Sequence, residues 1–347
     1  MKLAVFLPNW VGDAVMATPA LRAVRSRFDD AEIVAVLRPP IGDVLAGTGL
    51  VDRTVTHVPR GRDSRTSGWR FAMRLRAEAF DLAVLFPNSL RTAWLAFAAG
   101  ATRRVGFARD GRRFLLTDAL EPKSRSTPNP VIDEYLRLAG HLGCMDLSRR
   151  MELAVLPQDR DRLEEFWQTQ PDERRSRPFI ALNPGGAFGA AKHWPTRHFA
   201  SLAVRIAKEL DRTALVLCGP AERDEAREIV RLANHPLVTS LADVPPSIGL
   251  TKAAVQQSEL LVTTDSGPRH FAAPLGVPAV TLFGPTHIAW SETFAPNAVH
   301  LQHPVDCGPC QQRKCPFGHH RCMVELTPDV VFRSVSHLLT QAGRNAA

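Results

Sequence analysis

Met1-Lys2-Leu3-Ala4-Val5-Phe6-Leu7-Pro8-Asn9-Trp10-Val11-Gly12-Asp13-Ala14 opens the chain, and its order of residue types decides the fold. The apolar run is short and stops at Pro8, which has no N–H to give to a sheet ladder. Gly12 then permits a tight turn. Residues 14–28 carry Val15, Leu21, Val24 and Phe28 at helical spacing. An unbroken apolar strand followed by an amphipathic helix is the unit of a parallel sheet covered on both faces. The run lacks the long apolar region and small-residue cleavage site of a signal peptide, so a cytoplasmic protein is expected.

Outward from that stretch the alternation continues. Strands are expected at 32–37, 54–58 and 81–86, with helices at 69–80, 89–99 and 131–142. It starts again at Phe179-Ile180-Ala181-Leu182-Asn183. Further strands are expected at 214–218, 259–264 and 279–283, with helices at 196–210, 222–233, 247–257 and 268–275. Residues 157–178 are charged and Pro-flanked, with one helix at 159–168. The 347 residues suit two domains better than one. The expected fold class is α/β, two doubly wound parallel-sheet domains. Residues 1–157 form the first, 158–178 a linker, 179–327 the second, and 328–347 a last helix opening at Thr327-Pro328-Asp329. Ligands of such sheets sit at the carboxyl ends of the strands, at the switch points of strand order.

Three loops carry candidate chemistry. Asp13 follows the first strand at the start of the first helix, where it reads either as a helix cap or as a carboxylate facing ligand. The stretch Asn183-Pro184-Gly185-Gly186-Ala187-Phe188-Gly189-Ala190-Ala191-Lys192-His193-Trp194-Pro195 combines close backbone approach with a cation, which suits a phosphate cradle. It lacks Gly-Lys-Ser/Thr, so it is not a P-loop. Thr263-Thr264-Asp265-Ser266-Gly267-Pro268-Arg269-His270 runs from a buried strand straight into a helix start, where an anion fits and a plain capped helix is the alternative. Phe283-Gly284-Pro285-Thr286 adds a wall.

Charge is divided unevenly. Residues 1–150 hold 23 Lys and Arg against 15 Asp and Glu, so the whole net charge of +8 lies there, nearly all of it arginine. Arg62 and Arg109 lie in basic segments that also include Arg60, Arg65, Arg70, Arg74, Arg76, Arg103, Arg104, Arg112 and Arg113. Such a half suits an anionic partner, and a solvated arginine-rich surface is the plain alternative. Trp69 and Phe71 beside these arginines read either as an exposed membrane-facing patch or as core. Cys307, Cys310, Cys315 and Cys322 fall within sixteen residues. They read as ligands of a structural zinc or iron, or as reduced thiols in a loop. Their closed donor set would leave no open position for catalysis.

Taken in order, Asn9-Trp10-Val11-Gly12-Asp13, Pro87-Asn88-Ser89, the segment from Pro184 to Pro195, and Asp265-Ser266-Gly267 with His270 resemble the ADP-heptose-dependent lipopolysaccharide heptosyltransferase family of glycosyltransferases. The Trp-Val-Gly-Asp loop and the Pro-Asn-Ser strand end favour its type II branch. The resemblance runs from Met1 to the last helix and implies a GT-B fold, with acceptor on the first domain and ADP-sugar on the second. It implies inverting transfer of L-glycero-D-manno-heptose from ADP-heptose to the first heptose of the lipopolysaccharide core, at the cytoplasmic face of the inner membrane. The acceptor is then heptosyl-Kdo-lipid A, whose carboxylates and phosphates fit the basic half, on an anionic membrane surface.

By the same resemblance Asp13 is the general base. Gly185, Gly186, Lys192, Thr264, Asp265, Ser266, Gly267 and His270 hold the donor, with Lys192, Ser266 and Gly267 at the diphosphate and Asp265 at sugar hydroxyls. Asn9, Trp10, Asn88, Ser89, Arg62 and Arg109 meet the acceptor. The chemistry requires no cofactor. The last helix is expected to cross back to the first domain. Gly186-Ala187 stands where many members carry Ala-Glu, which removes a carboxylate near the donor, and Pro268-Arg269 replaces a more apolar pair. The cysteine cluster occurs in part of the family, and related autotransporter heptosyltransferases hold iron in a similar place. One alternative is a heptosyltransferase with another donor or acceptor. A more distant one, a metal-stabilised nucleic-acid-binding protein, explains the charge but neither Gly-rich loop, so no nucleic acid partner is expected.

Overall fold

A computed structural model describes the chain except Arg125, Ala187, Phe188 and Ala347. It divides into two compact units, Met1–Leu153 with Ala289–Glu292, and Ala154–Ile288 with Thr293–Ala347.

The first unit runs β1 (Lys2–Phe6), α1 (Val11–Arg27), β2 (Glu32–Leu37), α2 (Pro39–Leu45), β3 (Arg53–Thr56), α3 (Gly68–Arg76), β4 (Leu82–Leu85), α4 (Leu90–Ala98), β5 (Arg103–Phe107), β6 (Asp118–Leu120) and α5 (Val131–His141). Its sheet has the order β3-β2-β1-β4-β5-β6. Every pairing is parallel: Lys2 faces Glu32 and Leu3 faces Leu82. Buried Ala4, Phe6, Val34, Val36, Ala83 and Leu85 meet Phe71, Leu75 and Leu95 from α3 and α4 in one core. β5 was not expected, because Arg103-Arg104 reads as a surface patch. Arg103 is instead neutralised by Asp118 on β6, at 2.7 Å.

The second unit runs α6 (Pro157–Gln168), α7 (Asp172–Arg175), β7 (Phe179–Asn183), α8 (Thr196–Leu210), β8 (Thr213–Val216), α9 (Arg223–Ala233), β9 (Val238–Ser240), α10 (Ile248–Gln257), β10 (Leu260–Thr264), α11 (Arg269–Ala272), β11 (Ala279–Phe283), β12 (Ala298–Gln302), α12 (Arg321–Val324) and α13 (Pro328–Ala346). The sheet order β12-β11-β10-β7-β8-β9 repeats that of the first unit, again all parallel. Fully buried Trp194 is the largest side chain in this core. Its Nε1 donates to the Leu326 carbonyl at 2.7 Å, and its ring meets Phe199 edge-on at 4.8 Å. Each large apolar side chain so buried contributes about 1.5–3 kcal/mol.

The stretch 158–178 contains most of α6, where a helix was expected, and the short α7; α6 packs on α10. A Cβ on Gly249 would come within 2.0 Å of the Asp159 carboxylate, so only glycine lets these helices meet so closely. The final helix packs on α8 within the second unit. Val331, Phe332, Val335 and Leu338 enter the second core, and the Arg205 guanidinium lies 3.8 Å over the Phe332 ring. Among the described residues no helix is long and apolar enough to cross a membrane.

Candidate active site

In each unit the strand order reverses next to the first strand, between β1 and β4 and between β7 and β10. Those are the points where loops diverge and a ligand enters. Every loop singled out in the sequence, apart from the cysteine cluster, follows the carboxyl end of a parallel strand.

In the second unit the β7 and β10 loops are fastened to each other. Thr264, fully buried, donates from Oγ1 to the Gly185 carbonyl at 2.7 Å. The Asn183 amide donates to Thr263 Oγ1 at 3.0 Å and to Ser266 Oγ at 2.9 Å. Behind them lies a charged cluster. Lys192 Nζ donates to Asp265 Oδ2 at 2.5 Å and to its backbone carbonyl at 3.0 Å. Arg269 Nη1 reaches Oδ1 at 3.0 Å, and Thr286 Oγ1 donates to Oδ2 at 2.7 Å. Asp265, Lys192 and Arg269 are 7%, 8% and 3% exposed. Two cations thus converge on one buried carboxylate, in a setting where charges interact far more strongly than in water. The cations hold the Asp265 carboxyl well below the ordinary carboxylate range despite its burial.

Asp265 points its carboxylate toward Lys192, Arg269 and Thr286. Arg269 is buried against Asp265 and lies 4.9 Å over the Phe283 ring. The helix expected at 268–275 is one turn, Arg269–Ala272, too short for a substantial dipole. His270 is buried, its Nδ1 has no partner among the described residues, and burial first, then Arg269, holds its pKa well below 6.5. Its ring is neutral packing beside the site.

Sequence reasoning missed Glu222, in the turn after β8. A Cβ on Gly185 would come within 2.9 Å of the Glu222 side chain, and one on Gly219 within 2.4 Å of its Oε2. A carboxylate thus stands beside the Gly-rich loop, although Gly186-Ala187 supplies none. No local signal marks it, because only the sheet order places β8 next to β7.

The cysteine-rich loop backs the same turn. Ala191 N donates to the Arg313 carbonyl at 3.1 Å, and the His320 ring Nε2 lies 2.7 Å from the Ala191 carbonyl. Gly189 has φ 151° and approaches Arg313 so closely that a Cβ would lie 2.5 Å from its carbonyl oxygen. The expected metal centre is not assembled. Among the described residues no three His, Cys, Asp or Glu side chains form a group able to hold a metal ion. Cys307 Sγ and His319 Nε2 are 3.9 Å apart. The Cys315 thiol is instead turned toward backbone N–H groups of residues 317–320, which lower its pKa. Burial pushes the Cys322 thiol up, and Cys310, Cys307 and Cys315 add to that.

In the first unit the helix cap is Trp10, with no side-chain cap bond, and Ala14 N donates to the Trp10 carbonyl at 2.9 Å. Asp13 is therefore the third helical residue and not the cap, half-buried in the positively polarised first turn. It lies near enough to the buried Tyr135 phenol to add to the rise that burial causes in its pKa. Asn9 and exposed Trp10 share this loop. Ser89 caps α4, accepting from Thr92 N at 3.2 Å. Arg62 is exposed in the turn after β3, and Arg109 after β5 donates to the Lys123 carbonyl at 2.7 Å.

Arg112, read as part of a basic surface, is completely buried. Its guanidinium donates to the carbonyls of Phe107, at 2.9 Å, and Pro87, and to Asn88 Oδ1 at 3.2 Å. Burial lowers its pKa to about 10, so it remains charged and fixes the Pro87-Asn88-Ser89 turn. Gly106 leaves it room, since a Cβ there would lie 3.0 Å from the guanidinium.

The model of glycosyltransferase family 9 (heptosyltransferase) matches residues 68–321. The chain belongs to this family. As a family 9 glycosyltransferase it is an enzyme, and it is similar along its whole length to lipopolysaccharide heptosyltransferases 2. With that of Salmonella typhimurium it shares 30% identity over 361 residues, 99% of this chain and 100% of the relative. With that of Escherichia coli K12 it shares 29% over 354 residues, 98% and 99% of the two chains. The solved structure of E. coli ADP-heptose lps heptosyltransferase II superposes with a TM-score of 0.83 at 23% identity, covering 99% of this chain and 100% of that one. The family 9 glycosyltransferase of Veillonella parvula gives 0.81 at 22% identity, covering 98% and 97%. The fold is of the GT-B type, as the family implies.

Proposed function

We propose that this family 9 enzyme is a lipopolysaccharide heptosyltransferase of type II. It transfers L-glycero-D-manno-heptose from ADP-heptose to the first heptose of heptosyl-Kdo-lipid A, with inversion. The observation that carries the reading is the buried Lys192–Asp265–Arg269 cluster lashed beneath the Gly185–Gly186 turn, in a chain 30% identical over its length to lipopolysaccharide heptosyltransferase 2 of Salmonella typhimurium.

In this reading the second unit holds ADP-heptose. The backbone of Gly185, Gly186 and Gly267, the Ser266 hydroxyl and the Lys192 ammonium meet the diphosphate and stabilise the charge that develops as it leaves. Thr264 and Asp265 keep that apparatus in place, and His270 fills the space behind it. Glu222, in the turn after β8 and beside Gly185, offers a carboxylate to accept from ribose hydroxyls. The first unit holds the acceptor through Asn9, Trp10, Asn88, Ser89, Arg62 and Arg109. Asp13 takes the proton from the attacking hydroxyl as the new glycosidic bond forms on the face opposite the departing ADP. The enzyme works at the cytoplasmic face of the inner membrane, where its glycolipid acceptor is anchored.

Purified enzyme tests this with ADP-heptose and heptosyl-Kdo-lipid A, the product linkage being determined. One added heptose on the first heptose is expected. Transfer from UDP- or GDP-sugars instead, or to Kdo directly, would overturn the reading.

A further inference from the structure

The described residues include thirteen large apolar side chains left exposed, and six of them, Trp69, Met73, Leu90, Trp94, Phe97 and Phe114, fall between residues 69 and 114. Trp69, Trp94 and Phe97 line one open depression between α3 and α4. Trp69 on α3 and Trp94 on α4 have ring centroids 6.5 Å apart. The 3-10 turn Arg113–Leu115, which carries Phe114, packs on α4. Trp69, Phe97 and Phe114 are 63%, 52% and 77% exposed, so the question left by the sequence is answered against core packing for Trp69. Phe71, two residues on, is fully buried.

Within α3 and α4 the charges have one sign. Neither α3 nor α4 contains an Asp or Glu, while Arg70, Arg74, Arg76 and Arg91 all project exposed from them. The Arg104 guanidinium lies 5.5 Å over the Phe97 ring. Arg76 lies over the end of α4, 3.7 Å from where a Gly100 Cβ would be. Aromatic rings ringed by arginine match the boundary between lipid headgroups and acyl chains, with rings entering it and guanidinium groups meeting phosphate. A second copy of this chain fits poorly, because a self-complementary contact would set arginine against arginine.

We propose that the face formed by α3, α4 and the turn Arg113–Leu115 docks on the surface of an anionic phospholipid bilayer. The inference rests on the reading of the acceptor as a membrane glycolipid, and it gives that reading a place. α4 begins at Leu90, directly after Asn88 and Ser89 of the acceptor loop, so docking sets this loop at headgroup height.

The test is sedimentation of the full chain with phosphatidylglycerol-containing vesicles and with pure phosphatidylcholine vesicles. Two variants are compared, Trp69→Ser/Trp94→Ser/Phe97→Ser and Arg70→Glu/Arg74→Glu. The unaltered chain is expected to bind the anionic vesicles, less so as salt rises, and each variant to lose at least tenfold in partitioning. Transfer to a deacylated, water-soluble acceptor should stay unchanged in both. Equal vesicle binding by the variants, no binding by the unaltered chain, or a solution dimer that the variants abolish would overturn the proposal. Vesicle binding without any heptose transfer by the unaltered chain would sink the proposed function and leave the docking face standing.

Discussion

Lys192 holds Asp265 twice, through the carboxylate at 2.5 Å and through the backbone carbonyl at 3.0 Å, so the β7 loop and the end of β10 form one body. With the carboxylate removed, Lys192 and Arg269 become buried cations lacking this counterion, at a cost of about 3–5 kcal/mol. Asp265→Ala should lower the stability of the second unit by that amount in urea unfolding and raise KM for the donor. A loss below about 1 kcal/mol would mean that the cluster is solvated. Lys192→Ala should raise donor KM more than it changes acceptor KM, and unchanged kinetics at limiting donor would remove Lys192 from the site.

Asp13→Asn keeps the shape of the first turn and removes the base. A fall in kcat of about 10²–10⁴ is expected, with ADP-heptose binding by calorimetry within a fewfold of the unaltered enzyme. Turnover preserved within a fewfold would end its assignment as base.

Arg112 contacts carbonyls and an amide, so it acts by position. Arg112→Lys supplies one point charge where a planar fork reaches three acceptors. It should cost about 1–3 kcal/mol of stability through acceptors left unpaired. Acceptor KM should rise through the loosened Asn88-Ser89 turn while donor KM stays constant. Equal effects on both substrates would show a general loss of folding.

His270 sets a pH dependence. The native state excludes the proton that the unfolded chain takes up below about pH 6.5. Stability is therefore complete above that pH and lost as pH falls below it. His57 and His198 are shifted the same way, burial leading in each. The melting temperature should fall from pH 7 to pH 5, and His270→Asn should flatten that slope. An identical slope in the variant would mean that His270 is reached by water.

Gly189, at φ 151°, tests the support given by the cysteine-rich loop. Gly189→Val should push Arg313 away from Ala191 and raise donor KM severalfold, with acceptor KM unaffected. A variant with normal donor KM would show that this loop is dispensable to the Lys192 turn.

The sheets were legible because their strands are uninterrupted apolar runs: 32–37, 179–183 and 279–283 were placed to the residue. β5 and β6 were not, since Arg103 and Asp118 hide a strand pair behind its own charge pairing. Asp13, Lys192 and Ser266 were legible as residues that follow strands before a turn. Glu222 and Arg112 were not, because one depends on which strands are neighbours and the other on a cavity that only Gly106 opens. Likewise the spacing of the cysteines describes their separation along the chain, and not the turning of Cys315 toward backbone N–H groups.

The β7 and β10 loops are tied largely by neutral bonds, from Thr264 to Gly185 and from Asn183 to Ser266, around an ion pair closed off from solvent. Counterions reach none of these effectively. The arginine surround of Trp69 and Trp94 is open to them. Ionic strength should therefore separate the molecule's two kinds of recognition, leaving nucleotide affinity nearly level while attachment to lipid declines.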